Sequence, residues 1–205
     1  MKKETLKNSI FDSAWKIVED EGMERLNVRK VAKMSECSLG SLYNSYESFQ
    51  ILQLHINATV LSNLFVKLRT VTEEGIQEEK TLREILKNLG LAYIEFGQEN
   101  RNLWKSVFEH FPVDPLPEWY AKRAREGVYG ICERLGEFFK LPQEEVKHIV
   151  GFFWTSIHGM SAILLNRKME MVAELFRSDS LESYVDYCLE GLFSSELVAK
   201  IENYP

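Results

Sequence analysis

The chain is poor in helix breakers. It has 5 prolines and 11 glycines among 205 residues, too few to supply the turns that the many short strands of an all-β fold require. Cysteine is scarce and badly spaced: Cys37, Cys132 and Cys188 are odd in number, far apart and without CxxC spacing. A disulfide scaffold and a structural zinc site are both excluded on that count, and a reducing cytoplasm is expected. Nor is there an excess of positive charge. Lys and Arg number 25 against 31 Asp and Glu, a net charge of −6, which argues against a protein that coats nucleic acid indiscriminately. A secretory leader is not expected either, because Glu4, Asn8 and Asp12 interrupt what should be an apolar stretch. Catalytic signatures are missing as well: no phosphate-binding glycine loop, no His-Glu-x-x-His, no Gly-x-Ser-x-Gly and no dinucleotide fingerprint. Carboxylates fall on polar helix faces, where solvation is the default. No catalytic residue, cofactor or metal is expected. His158 in particular has no second His, Cys or carboxylate at ligand spacing on its helix.

What is present is a helical period. Leu6, Ile10, Ala14, Ile17 and Val18 recur at three- and four-residue spacing, which predicts an amphipathic helix over 3–21, ended by Gly22. Asn27 is a good N-cap for a second helix that stops near Met34, and Ser38 caps a short third one over 39–45. A longer helix is expected from Ser48 to about Val71. After a polar connection at 72–80, Thr81-Leu82-Arg83-Glu84 reads as a capping box opening a helix to about Gln98. Further helices are expected over 102–111, 118–139, 170–176 and 181–193, with a last turn or two at 195–202; prolines 112, 115 and 117 mark a loop. Pro142 opens another helix, running to about Arg167. The stretch from Ile149 to Asn166 has no formal charge and borders the roughly 18–20 residues of a membrane span. It carries Thr155, Ser156, His158, Gly159, Ser161 and Asn166, and it reads as a buried helix. The fold class is all-α in two unequal parts: a small domain over 1–47, a connecting helix over 48–71, and a larger helical domain over 72–205.

Charge divides along the same line. Residues 1–47 hold eight basic and eight acidic side chains, so the remainder carries the whole net negative charge. Lys2, Lys3 and Lys7 lie at the N-terminus, and Arg29, Lys30 and Lys33 on the second helix. An anionic polymer would dock at this tip rather than on the acidic body. Residues 27–46 form helix, short turn, helix. In such a motif the second helix enters the major groove while helix N-termini and hydroxyls grip phosphates. Asn27 and Ser38 then serve as caps and phosphate contacts, and Ser48, which opens the long helix, is a further candidate DNA contact. Gly40, Ser41 and Asn44 are small enough for close approach to a groove, and Arg29 and Tyr43 are in reach of phosphate or base edges.

These residues resemble the TetR family of bacterial transcriptional regulators. The resemblance rests on Gly22, Val28-Arg29-Lys30-Val31-Ala32, Ser38-Leu39-Gly40-Ser41-Leu42-Tyr43 and the aromatic Tyr46, and it covers about residues 3–62. Farther along, only Trp154-Thr155-Ser156-Ile157-His158-Gly159 is similar to a stretch of some family C-terminal domains. The resemblance implies a cytoplasmic homodimer whose N-terminal domains read a palindromic DNA operator. It also implies a helical C-terminal domain that holds a small-molecule inducer and the dimer interface. Three positions depart from the family pattern: Glu36 where a turn glycine is usual, Leu39 where a basic residue is common, and Phe49 where a phosphate-gripping lysine is common. A weaker operator contact is expected from them.

In the larger part, large rings recur on several helices. With a few polar groups and the proline-rich loop, they are expected to enclose an apolar pocket. Tyr93, Trp104, Phe108, Trp119, Phe152 and His158 are the candidate ligand-binding residues, and an apolar or cationic inducer suits rings in an acidic body. Dimerisation is expected through the uncharged helix and the helix at 181–193. Gly151, Ser156, Gly159 and Ala162 allow close approach, and Phe152, Ile163 and Leu165 offer burial. The competing reading is an all-helical small-molecule-binding or adaptor protein without DNA binding.

Overall fold

The computed structural model describes residues 2–110, 115–165 and 181–194. The expected helix at 170–176, the turns at 195–202, the continuation of the uncharged helix past Leu165 and the chain around Pro112 lie outside the described residues. The described chain is all-α. In order it forms α1 (Lys2–Glu21), a 3-10 turn (Met23–Arg25), α2 (Val28–Met34), α3 (Leu39–Ser45), α4 (Phe49–Gln77), α5 (Leu82–Glu99), α6 (Arg101–Phe108), α7 (Glu118–Phe139), α8 (Gln143–Leu165) and α9 (Leu181–Phe193).

Local chemistry explains most of these boundaries. The Thr81 N–H donates to Glu84 Oε2 at 2.8 Å and the Glu84 N–H to Thr81 Oγ1 at 3.3 Å, a reciprocal capping box at the start of α5. Two helices end in the same hydrogen-bonded closure. After α2 the Cys37 N–H reaches Ala32 O at 3.0 Å and the Glu36 N–H reaches Lys33 O at 3.3 Å; after α4, Lys80 reaches Gly75 O at 2.9 Å and Glu79 reaches Ile76 O at 3.1 Å. This Schellman pattern requires a left-handed residue, ordinarily glycine. Here Glu36 and Glu79 hold φ at 52°, and Lys140 holds φ at 54° where α7 ends. Gly22 is different. Its φ of 91° and ψ of 162° belong to a region open to glycine alone, and this fixes the break after α1.

Helix α4 is longer than its periodicity suggests. The polar stretch expected to connect from Thr72 continues the helix to Gln77, because the buried Thr72 hydroxyl donates to Leu68 O at 2.9 Å and needs no water. Helix α6 stops at Phe108, three residues short of the expected end.

The chain forms two compact units, Met1–Asn63 with Asn100–Arg125, and Leu64–Glu99 with Glu126–Pro205. The divisions fall inside α4 and α7, so both helices contribute residues to both units. In the first unit α1 packs on α2, α3 and α6, around Ile10, Ala14, Val31 and Leu42, all fully buried. Residues 100–125, grouped by sequence pattern with the larger part, belong here. Asn102 Nδ2 donates to Glu19 O at 2.9 Å and Asn57 Nδ2 to Ser106 O at 2.9 Å.

In the second unit α5, α8 and α9 pack on one another. The contact is close at Gly90, where a Cβ would stand 2.9 Å from the Phe153 ring and 3.3 Å from Val185. Arg134 makes a two-pronged pair with Glu73 at 2.7 and 2.9 Å, holding α7 to α4 within this unit. Leu165, expected to be available for dimer burial, is only 4% exposed and belongs to the chain's own core. Two helices are long and apolar enough to cross a membrane by length and composition, Phe49–Gln77 and Gln143–Leu165; 61% of the apolar window is buried in the first and 33% in the second. Length and the lack of formal charge single out only the second in the sequence.

Candidate nucleic-acid interface and aromatic clusters

Helices α2 and α3 have 7 residues each, too short to persist without capping and packing. Both are supplied. Asn27 Oδ1 accepts the Lys30 N–H at 3.0 Å, and Ser38 Oγ accepts the Ser41 N–H at 3.1 Å. Ser48 Oγ does the same for Ile51 at 3.2 Å, at the start of α4. Leu42 is fully buried and anchors α3 from beneath. The outer face of α3 is open: Leu39 is 46% exposed and Tyr43 50%, with Gly40 and Asn44 exposed beside them. Gly40 is open on its outer side, since a Cβ there would meet only Ser38 Oγ at 3.8 Å. Arg29 and Lys33 are exposed on α2, whereas Lys30 pairs with Glu21. All eight residues singled out for DNA contact, Asn27, Arg29, Ser38, Gly40, Ser41, Tyr43, Asn44 and Ser48, are exposed or half-buried, and they are contributed by α2, α3 and the N-caps of α2, α3 and α4.

The ring candidates distribute over both units. In the first, Trp104 is fully buried and its ring lies 4.9 Å from Phe108. Trp119 stacks on His55 at 4.8 Å with an interplanar angle of 18°, and His55 meets the edge of Tyr46 at 5.6 Å. Tyr46 caps the C-terminal end of α3; its hydroxyl donates to Lys7 O at 3.2 Å and the Lys7 ammonium lies 5.1 Å from its ring centre. Burial, aided by Asp12, pushes the Tyr46 phenol up to about 12. Burial, with the Lys7 and Arg123 cations, lowers the His55 pKa, while Glu47 opposes them. In the second unit the Tyr93 hydroxyl and His158 Nδ1 share a hydrogen bond of 2.8 Å, and the Trp154 ring lies 5.2 Å from His158. Burial lowers the His158 pKa. Phe152 stands apart from this pair, 58% exposed on α8.

Residues 86–187 match the family model described as the tetracycline repressor-like C-terminal domain. The chain belongs to the TetR family. The fold agrees over nearly the whole length. A protein of unknown function from Rhodococcus sp. RHA1 superposes with a TM-score of 0.70 at 14% identity, covering 92% of this chain and 93% of that one. A TetR family transcription regulator from Marinobacter aquaeolei VT8 gives 0.61 at 14% identity, covering 94% and 95%. The fatty acid degradation regulator FadR from Bacillus halodurans gives 0.56 at 15% identity, covering 93% and 96%. No curated protein matches the chain significantly.

As a TetR-family protein the chain is a transcriptional regulator by fold and family. One departure from the family pattern acquires a geometric meaning. Glu36 stands at the left-handed position that a turn glycine would occupy without strain. The Trp119–His55–Tyr46 stack was missed by sequence reasoning. Trp119 is expected above in a ligand pocket, with no partner named for it. Only the separation of 64 positions between Trp119 and His55, closed by the fold, makes them neighbours, and no local pattern signals it.

Proposed function

We propose that this TetR-family protein is a repressor that binds a palindromic operator as a homodimer and is released by a small molecule. One observation carries the DNA reading: a two-turn helix, capped at its start by Ser38 and pinned by Leu42, presents Leu39, Gly40, Tyr43 and Asn44 outward. A helix so short gains nothing from such a face unless a groove receives it. Arg29 and Tyr43 supply phosphate or base contacts beside it. The test is an electrophoretic shift with DNA upstream of the protein's own gene. Tyr43→Ala or Arg29→Ala is expected to weaken binding by about 1–3 kcal/mol without unfolding the chain. Unchanged binding by both variants would refute these contacts, and the absence of any shift would favour the adaptor reading.

Dimerisation is supported by the outer faces of α8 and α9. Phe152 and Tyr187 are each 58% exposed, and a Cβ at Gly151, Gly159 or Gly191 would meet nothing within 4 Å. Large rings beside open glycines suit a second copy that approaches closely and buries the rings. Phe152 thus serves the interface rather than the ligand. Phe152→Glu is expected to yield a monomer of about half the native mass by light scattering. The inducer site is assigned to the neighbourhood of Tyr93 and His158, whose paired polar atoms orient an apolar or cationic molecule among rings. Trp104, Phe108 and Trp119 are candidates of the first unit. Helix α4 is the transmission element, and coupling of about 1–3 kcal/mol would reduce operator affinity roughly 5- to 150-fold on inducer binding. The protein acts in the cytoplasm, where its operator is.

A further inference from the structure

The chemistry of the α3 face also points to what it reads. Between Lys33 and Lys67 the sequence contains no lysine or arginine. Guanine is recognised in the major groove chiefly by Arg or Lys donating to O6 and N7, and α3 offers neither. What it does offer is an exposed leucine side chain at its first position, an exposed carboxamide at Asn44 and an open glycine between them. An exposed leucine on a docking face has two outcomes: it stays in water at no gain, or it meets an apolar group on the partner. In the major groove the only apolar group on a base edge is the thymine 5-methyl. A carboxamide pairs best with adenine, accepting from N6 and donating to N7. Leu39 and Asn44 stand five positions apart, about 140° round a helix of 3.6 residues per turn, so they address different base pairs from the two sides of the exposed arc that Gly40 and Tyr43 complete.

We infer that each operator half-site is A·T-rich at its core, with a thymine methyl against Leu39 and an adenine edge at Asn44. This rests on the DNA-binding reading above and specifies its ligand. Tyr43 and Arg29 then fix register on the backbone, contributing affinity without discriminating bases.

The experiment is selection from a random duplex library by the purified dimer, followed by anisotropy titrations on the selected site. An A·T-rich palindrome is expected. Replacing the thymine at the Leu39 position with deoxyuridine removes one methyl and should weaken binding about fourfold per half-site. Leu39→Ala should lose that sensitivity and Leu39→Met should keep it. Replacing adenine with 7-deazaadenine removes the N7 acceptor and should weaken binding about fivefold, an effect absent in Asn44→Ala. A selected site that is G·C-rich at its core, or a deoxyuridine effect that persists in Leu39→Ala, overturns the base assignment while leaving the operator-binding function standing. A library that yields no enriched sequence overturns both.

Discussion

Substituting the turn residue of the helix-turn-helix should make this protein more stable and a better DNA binder at once. Glu36 is the left-handed residue of the Schellman closure after α2, with φ of 52°. A residue bearing a Cβ pays about 1–2 kcal/mol to be there. Glycine avoids that strain but surrenders about 0.5–1 kcal/mol of chain entropy on folding. Glu36→Gly should therefore stabilise the fold by about 0.5–1 kcal/mol, a rise in Tm of about 1–4 °C for a chain of this size. Glu36→Ala keeps the Cβ and should gain nothing; Glu36→Asn, tolerant of the left-handed region, should fall between them. The same reasoning covers Glu79 and Lys140, whose φ values are 52° and 54°, and three distant sites should add. Operator affinity separates charge from strain. All three Glu36 variants remove a carboxylate from the proposed DNA interface and should raise affinity alike, with a gain that shrinks as salt is added. Differential scanning calorimetry and anisotropy at two salt concentrations provide the readings. A Glu36→Gly protein no more stable than Glu36→Ala would refute the strain argument.

Three further outcomes are expected. Burial depresses the His55 pKa below its unfolded value of 6.5, so the unfolded chain binds the extra proton more readily. Stability contributed by the neutral ring is intact above pH 6.5 and is lost as pH falls through that value toward the folded pKa; urea midpoints from pH 7.5 to 5.5 should drop, and less so in His55→Gln. A Cβ at Gly127 would stand 2.1 Å from the Phe65 ring, whereas one at Gly130 would meet nothing within 4 Å; Gly127→Ala should cost about 1–3 kcal/mol and Gly130→Ala should gain up to about 1 kcal/mol by chemical denaturation. Thr81→Ala removes one half of the capping box of α5 and should cost about 1 kcal/mol, restored in part by Thr81→Ser.

The sequence was most transparent where a local rule decides the structure. The starts of α2, α3 and α5 follow from Asn27, Ser38 and Thr81, because a side-chain cap is a contact within three residues. Ends were harder. Nothing near Thr72 shows that its hydroxyl will be buried and satisfied by Leu68, so the sequence pattern ends at Val71 while the helix continues to Gln77. The ring residues were harder still. Trp104 in a core, Trp119 on an imidazole and Phe152 on an open face share the same hydrophobicity and the same helical spacing. Which of these a ring will do depends on partners brought from distant segments. The placement of α6 against α1 is of the same kind, set by Asn102 and Glu19 across a long sequence separation.

The two tryptophan–histidine contacts also make the molecule self-reporting. Trp119 lies against His55 in one unit and Trp154 against His158 in the other. An imidazolium quenches indole emission by accepting an electron from the excited ring, and neutral imidazole does so far less. Each unit thus carries its own optical readout of a histidine's charge, with no label attached. Trp15 and Trp104 emit as well, so each contact is read as the pH-dependent emission that Trp119→Phe or Trp154→Phe removes from the parent signal. A fluorescence titration of the parent and these two variants would follow the protonation of His55 in the first unit and of His158 in the second separately.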